Sequence, residues 1–365
     1  MGGQQHPKQP SLTSPETTKN NRHNVPKSTL MIVLTGATGV IGKHILRNLV
    51  NRGHRVRCML RPGRSQEGLP DYGELVSWQE ASLFDPSDLE NLLNGAEKVI
   101  HSAGFVSFLR SDRDNLFKTN VEGTANLVNA CLDAGIKKLV HLSSIAALGS
   151  GKKSGTVDEK AKWEEDNASA YAHSKRLAEQ EVWRAEAEGL SVAVVNPSVV
   201  LTNEHGDRSS AELNNRMLAK KSIYPKGDMN YVDVRDVAEI VSQLVESDIS
   251  GERFVLSAGK TSFSELRQLF VKFSGLQKPK NIELGSGLMG TGAMLANIAA
   301  VLRGKTAPYA IGSIKNIGKC PLYDSSKVSN ALGVRFRGLD ESLSWICESL
   351  QRGSETVSKK SPAQR

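Results

Sequence analysis

The chain has 365 residues, 39% of them hydrophobic and 24% charged, with 47 Lys and Arg against 39 Asp and Glu and a net charge of +8. This is ordinary for a soluble globular protein and leaves room for one large or two modest domains. The charge sits at the ends. Lys8, Lys19, Arg22 and Lys27 against Glu16, and Arg352, Lys359, Lys360 and Arg365 against Glu355, give +3 each and leave +2 on residues 31–350. That excludes a basic domain built to read nucleic acid.

Residues 1–29 are polar, with little to bury, and are expected to be a disordered tail without a secretory apolar region or a myristoylation pattern. Residues 30–34 are a short apolar run entering Thr35-Gly36, the mark of a strand buried on both faces. A helix follows with Ile41, Ile45, Leu46 and Leu49 on one face and Gly53 past its end. Strands are predicted at 54–60 and 75–78. Asp85 and Pro86 then open a helix as N-cap and first residue. A strand at 99–101, a helix over 120–134, a strand at 139–142, a helix over 170–188 and a strand at 191–195 complete the alternation. The predicted fold class is α/β: a Rossmann-type doubly wound parallel sheet over 30–200. Beyond residue 200 the alternation fades, and 201–350 is expected to form a smaller mixed C-terminal substrate lobe with returning elements of the sheet. Residues 351–365 read as a second disordered tail.

Cys58, Cys131, Cys320 and Cys347 lie far apart, without a CxxC pair or a His at ligand spacing. They are read as small core residues in a reducing, cytoplasmic setting, with no metal site. Residues 284–302 carry no charge, yet four glycines and Asn297 interrupt them. A buried or partner-facing helix around 293–302 is expected there, and no membrane span.

Gly36, Thr38, Gly39, Val40, Ile41 and Gly42 lie between the first strand and the first helix. The glycines are spaced G-x-x-G-x-x-G, one residue longer than the usual dinucleotide fingerprint. They let the backbone approach a pyrophosphate at a helix N-terminus. After the second strand comes Arg61-Pro62-Gly63-Arg64, with no acidic residue to hold ribose hydroxyls. Arg61 or Arg64 could pair with a 2′-phosphate, so NADP(H) is the preferred cofactor and NAD(H) the alternative.

Tyr171 and Lys175 lie one helical turn apart, and a nearby ammonium favours the phenolate of a group that otherwise titrates near 10. Such a tyrosine can give a proton to a carbonyl or take one from an alcohol. Ser143-Ser144 ends a sheet strand, where parallel-sheet proteins place ligand contacts.

These segments, with His101-Ser102-Ala103-Gly104, Asn120-Val121-Glu122-Gly123-Thr124, Asn196-Pro197-Ser198 and Tyr231-Val232-Asp233-Val234-Arg235-Asp236, make residues 31–350 resemble the extended short-chain dehydrogenase/reductase family. Some members of that family are called NAD-dependent epimerase/dehydratases. The resemblance implies that Ser144 bonds the substrate oxygen, Tyr171 is the acid/base, and Lys175 holds the nicotinamide ribose and tunes Tyr171. It places Asn120 near the site as the anchor of the central helix. Ala103 and Gly104 would line the cofactor, and Pro197 and Ser198 would meet the nicotinamide carboxamide. Ser144 is chosen over Ser143 because Gly149 lies five residues after it, matching the family's S-x-x-x-x-G.

Three departures stand out. Ser82-Leu83 replaces the family's Asp-Leu at the adenine, leaving Leu83 to pack on the ring. Met229 stands where the nucleotide-sugar branch keeps an arginine, and Asn196-Pro197 where that branch usually has Arg-Pro. The pattern looks more like the dihydroflavonol-reductase and 3β-hydroxysteroid-dehydrogenase branch. That implies hydride transfer at a carbonyl or secondary alcohol of a small apolar or aromatic substrate, with Phe105, Phe108, Trp163 and Tyr224 as candidate pocket residues. A nucleotide-sugar epimerase and a non-catalytic NADP-binding regulator are the rival readings. A helix-paired homodimer is usual in the resembled family.

Overall fold

The computed structural model describes residue 2 and residues 31–66, 69–149, 155–163, 168–204, 209–277, 279–285, 287, 288, 291 and 320–359. The expected N-terminal tail apart from residue 2, the expected helix at 293–302 and the last six residues lie outside these. Through the first half, β1 (Met31–Thr35), β2 (Arg55–Leu60), β3 (Val76–Glu80), β4 (Lys98–His101), β5 (Lys138–Leu142) and β7 (Ser191–Pro197) alternate with helices. The helices are α1 (Val40–Asn51), α2 (Pro86–Leu93), α4 (Gly123–Asp133) and α5 (Ala170–Ala187). Between them lie α3 (Arg113–Leu116), a single turn, and β6 (Thr156–Val157).

The second half holds β8 (Val199–Leu201), α6 (Ser209–Leu218), β9 (Lys221–Pro225), β10 (Asp228–Asp233), α7 (Val234–Glu246), β11 (Glu252–Leu256) and β12 (Gly259–Ser262). It continues with α8 (Phe263–Ser274), β13 (Lys280–Leu284), β14 (Leu322–Tyr323), α9 (Ser326–Leu332) and α10 (Leu339–Lys359).

The main sheet runs β3-β2-β1-β4-β5-β7-β11, every pair parallel. Its central strands are buried on both faces, as their apolar runs dictate: all five residues of β5 are inside. One face packs Ile45, Leu46 and Leu49 of α1 and Val237, Val241 and Leu244 of α7 over Ile32, Leu34, Val140 and Val195. The other sets Leu89 and Leu92 of α2, Leu127 and Val128 of α4, and Val182 of α5 over Val33, Val99, Leu139 and Val194. Winding reverses between β1 and β4, which opens a crevice at their C-terminal ends, the place where such sheets take ligands. The second lobe gathers Leu201, Met229, Tyr231, Leu266, Phe270, Leu343 and Ile346 around the β12-β10-β8 sheet, while β11 returns to the edge of the main sheet.

Three sequence expectations change here. The helix expected to start at 120 starts instead at Arg113 and passes through a π-helical turn, Phe117–Glu122, before α4. The last helix continues to Lys359, past the expected end of the fold at 350: once anchored by buried Leu343, Ile346, Cys347 and Leu350, a helix propagates at one backbone bond per added residue. Cys58, Cys131 and Cys347 are buried, but Cys320 is only half-buried, its thiol directed at Asp228 O (3.3 Å).

Candidate active site

The glycine loop is built by close approach. Gly36 has φ +73°, and a Cβ there would lie 2.6 Å from Ala103 N, so the phosphate loop and the loop after β4 touch through this glycine. A Cβ on Gly42 would collide with Gly36 O, which locks α1 against its own loop. Gly39 is the N-cap of α1 and donates to Gly36 O (2.9 Å), with no side chain capping the helix and no acidic residue in its first turn. Free amides and a positive dipole end therefore face the crevice, with Thr38, Val40 and Ile41 around them.

A chain of buried hydrogen bonds ties this loop to the rest of the site. Ala103 N donates to Thr35 Oγ1 (3.2 Å), Thr35 Oγ1 meets His101 Nδ1 (2.7 Å), and His101 Nε2 meets Thr124 Oγ1 (3.0 Å). Thr124 Oγ1 in turn donates to Asn120 O (2.6 Å). Each hydroxyl has one proton, so the order fixes the tautomer: Nε2 carries the proton and Nδ1 accepts. Burial, aided by the charge of Lys175, pushes His101 down to about 3 and keeps it neutral.

Asn120 sits in the π-helical turn, which turns its side chain toward the loop after β4. Its Oδ1 accepts from Phe105 N (2.7 Å), and its Nδ2 donates to Phe105 O (2.9 Å) and to Ser174 Oγ (2.9 Å). Ser174 Oγ donates to Tyr171 O (2.8 Å). One asparagine thus fixes the loop carrying Gly104 and Phe105 against the helix carrying Tyr171. Such π turns recur at functional sites.

Helix α5 begins at Ser169, whose hydroxyl accepts from Ala172 N (3.1 Å). That cap places Tyr171 in the first turn, at the positive end of the dipole, which favours a phenolate. The Ser144 hydroxyl accepts from Ala146 N (3.1 Å) and acts on the Tyr171 phenol, favouring its charged form. Burial raises the Tyr171 pKa and Ser144 lowers it, with burial the larger effect. The lowering expected from Lys175 is not among the effects on the phenol, whose pKa is raised; the ammonium is instead bonded to Leu142 O. Lys175, 6% exposed, donates to Leu142 O (2.7 Å), and desolvation holds it at about 8 despite the opposing pull of Glu179. Gly104 lies beside both Asn120 and Lys175. Gly149 earns its place physically, since a Cβ there would run into the Lys162 carbonyl.

The remaining predicted residues divide. Arg61 and Arg64 are exposed on a turn closed by Arg64 N to Arg61 O (3.1 Å), at the same sheet edge as Gly36, and neither joins an ion pair among the described residues. The Ser82 hydroxyl accepts from Phe84 N (3.1 Å). Leu83 is buried against Gly123 of α4 rather than open at the crevice. Pro197 ends β7 and Ser198 follows it, and the buried Ser198 hydroxyl has no partner among the described residues. Of the aromatic candidates, Tyr224 belongs to the second lobe's core. Phe105 is half-buried, and half-buried Trp163 stacks on His173 (6.2 Å). Phe108 is 61% exposed with its ring edge-to-face on Tyr171, centroids 5.8 Å apart.

Sequence reasoning assigned no role to Thr35, His101, Thr124, Ser174, Glu179 or Asn196. His101 and Asn196 stood inside quoted motifs, and Glu179 one turn past Lys175, but their partners are distant in sequence and visible only once the sheet is assembled.

Residues 32–257 match the model of the NAD dependent epimerase/dehydratase family, and the chain belongs to that family. It is 28% identical over 318 residues, 85% of this chain and 91% of the relative, to the "Putative dihydroflavonol 4-reductase" of Synechocystis sp.. It is 29% identical to a cinnamoyl-CoA reductase 1 of Oryza sativa subsp. japonica, over 71% of this chain and 81% of that one. The crystal structure of gox2253 superposes with a TM-score of 0.75 at 26% identity, covering 89% of this chain and 98% of the other. The Bordetella bronchiseptica enzyme WbmH in complex with NAD+ shares the fold, with a TM-score of 0.69 at 21% identity over 89% and 99% of the two chains. The expected fold and the expected class, a nicotinamide-dependent oxidoreductase of the extended short-chain type, both hold.

Proposed function

We propose that the chain is an NADP(H)-preferring reductase of a small apolar or aromatic carbonyl compound, or the corresponding alcohol dehydrogenase. The observation that carries this reading is the Tyr171 phenol, acted on by Ser144 and flanked by the ring of an exposed Phe108, at the crevice edge where the glycine loop lies. The residues present fit a dinucleotide. Gly36 and Gly42 form a cradle that a Cβ would fill, α1 offers uncapped amides, and the orphaned Ser198 hydroxyl is a donor for a carboxamide.

When bound, the nicotinamide supplies or accepts the hydride. The chain's own residues manage the oxygen and its proton. Ser144 donates to the substrate oxygen and Tyr171 delivers the proton to it. The phenolate left on Tyr171 is favoured by the α5 N-terminus and by the Lys175 ammonium. Proton transfer of this kind contributes about 10²–10⁴-fold to rate. Phe108 presents an apolar face beside the reacting centre, and an exposed ring of this size gains free energy by covering an apolar substrate. Met229 supports a substrate without a diphosphate: it is a buried core residue of the second lobe, where the nucleotide-sugar branch needs a cation. One similar protein is named a putative dihydroflavonol 4-reductase, which supports the reductase reading.

Preference for NADP(H) rests on Arg61 and Arg64, two exposed guanidinium groups where a carboxylate would otherwise hold the ribose. Fluorescence titration of the Arg61→Ala variant with both reduced cofactors tests it. NADPH affinity is expected to fall about tenfold, the size of one charge-assisted contact, with NADH affinity within about twofold. Equal losses for the two would refute the preference.

A further inference from the structure

Helix α5 carries Tyr171, Lys175 and Glu179 at intervals of four, so all three lie along one face about 12 Å long. Glu179 is fully buried and doubly held. Its Oε1 accepts from Asn196 Nδ2 (2.6 Å), and its Oε2 pairs with Arg253 of β11, whose guanidinium also lies over the Trp183 ring. The same Asn196 Nδ2 donates to Ser144 O (2.9 Å). An unbroken path of contacts therefore runs from a buried carboxylate to the backbone of the serine that meets Tyr171.

The surroundings of Lys175 make that carboxylate matter. Packed against it are Leu142 O and His141 from β5 and His101 from β4, with Tyr171 and Glu179 on its own helix. Burial, with the charge of Lys175 adding to it, holds both histidines neutral. The two rings face each other at 5.3 Å. Among the described residues, Glu179 is the anion that acts on the buried ammonium. A buried carboxylate is costly unless it is paired and hydrogen-bonded, and this one has both kinds of partner.

We propose that Glu179 is a positioning residue of the active site, holding Ser144 in place through Asn196 while supplying the counter-charge to Lys175. The proposal rests on the reading of Tyr171 and Lys175 as the acid/base pair, but its test separates the two. Two variants divide the roles. Glu179→Gln keeps an acceptor for Asn196 and removes the charge; Glu179→Asp keeps the charge and shortens the reach.

The direct readout is the titration of Lys175 in the full chain carrying [ε-13C]lysine, its resonance assigned by its loss in Lys175→Met, with and without NADP+. In the wild type that resonance is expected to titrate at about 8, below the value of a solvated lysine. Glu179→Gln is expected to shift it down by about one pH unit, since removing a nearby anion disfavours the ammonium. Glu179→Asp should restore it. With an aromatic aldehyde turned over by the wild type, Asn196→Ala should lower kcat about tenfold while the Lys175 titration stays in place. Should Glu179→Gln fail to fold, the double variant with Arg253→Met leaves no unpaired buried cation and is read the same way. A Lys175 titration unmoved by removal of the charge overturns the electrostatic half, and an unchanged kcat in Asn196→Ala overturns the positioning half. Full activity in Tyr171→Phe would instead sink the acid/base reading and leave the lysine titration to stand on its own.

Discussion

Lys175 is the residue whose burial costs the fold most visibly. Its ammonium lies inside the molecule with a backbone carbonyl as its hydrogen-bond acceptor, and its pKa is about 8 against 10.5 for a solvated lysine. The folded value lies below the unfolded one, so the unfolded chain binds this proton more tightly. The penalty is fully present below about pH 8 and fades as the pH rises through the window from 8 to 10.5. Lys175→Met removes the penalty. Denaturant melts at pH 7 and pH 11 should show the wild type gaining about 3 kcal/mol on this variant between the two. Lys138, also lowered to about 8, adds a background slope common to both proteins, so the difference isolates Lys175. A gap independent of pH would mean that the site does not hold a buried ammonium. The expense makes sense if the charge serves Tyr171, since the Y-x-x-x-K spacing alone would be met as well by two solvated side chains.

Among the elements, the β1-loop-α1 unit divides its three glycines between folding and binding. Gly36 and Gly42 have no space for a Cβ, Gly36 also having a positive φ, so Gly36→Ala and Gly42→Ala should lower the melting temperature of the protein without cofactor by the equivalent of about 1–3 kcal/mol. Gly39 meets only Gly36 O, at 3.1 Å, with an ordinary φ of −77°. Gly39→Ala should cost less thermal stability than either, since Gly36 O need give only a few tenths of an ångström, and should weaken NADPH binding, because its methyl would point where the phosphates approach. Equal thermal losses for all three would refute this division. This unit was legible in the sequence, as were β2 to β5 and β7, because an apolar run or a 3.6-residue stripe survives any tertiary context. The π turn at Phe117–Glu122 was not, having no local signature. Its work is to aim Asn120 at Phe105, a contact fifteen residues away. Apart from β11, whose residues 253–256 stand out as an apolar piece, the strands from β8 to β14 escaped for a related reason: several are two to five residues long and defined by partners far along the chain, such as Asn230 opposite Lys260.

The whole molecule is a parallel sheet carrying the nicotinamide chemistry and a second lobe whose own elements are tied together by a buried arginine. Arg267, fully buried in α8, donates to Met217 O and to Ala219 O (2.9 Å) at the end of α6 and to Asn281 Oδ1 (2.9 Å) in β13. Arg337 pairs with buried Asp236 across α7. Lys175, Arg253, Arg267 and Arg337 are thus positive charges each answered by a nearby carbonyl or carboxylate. The order of motifs along the chain pointed to the crevice and to Tyr171, Lys175 and Ser144. It could not show that Leu83 and Tyr224 are committed to the core, because burial depends on which helix lands above a residue.

The central claim is that this crevice moves a proton through Tyr171 as hydride passes to a carbonyl. The most direct measurement follows nicotinamide absorbance with NADPH and a panel of aromatic aldehydes and ketones, for the wild type and Tyr171→Phe side by side, with NADPH affinity measured in parallel. Turnover by the wild type and a loss of about 10²–10⁴-fold in kcat for the variant, at an NADPH affinity within about twofold, is the expected result. Undiminished turnover by Tyr171→Phe would contradict it.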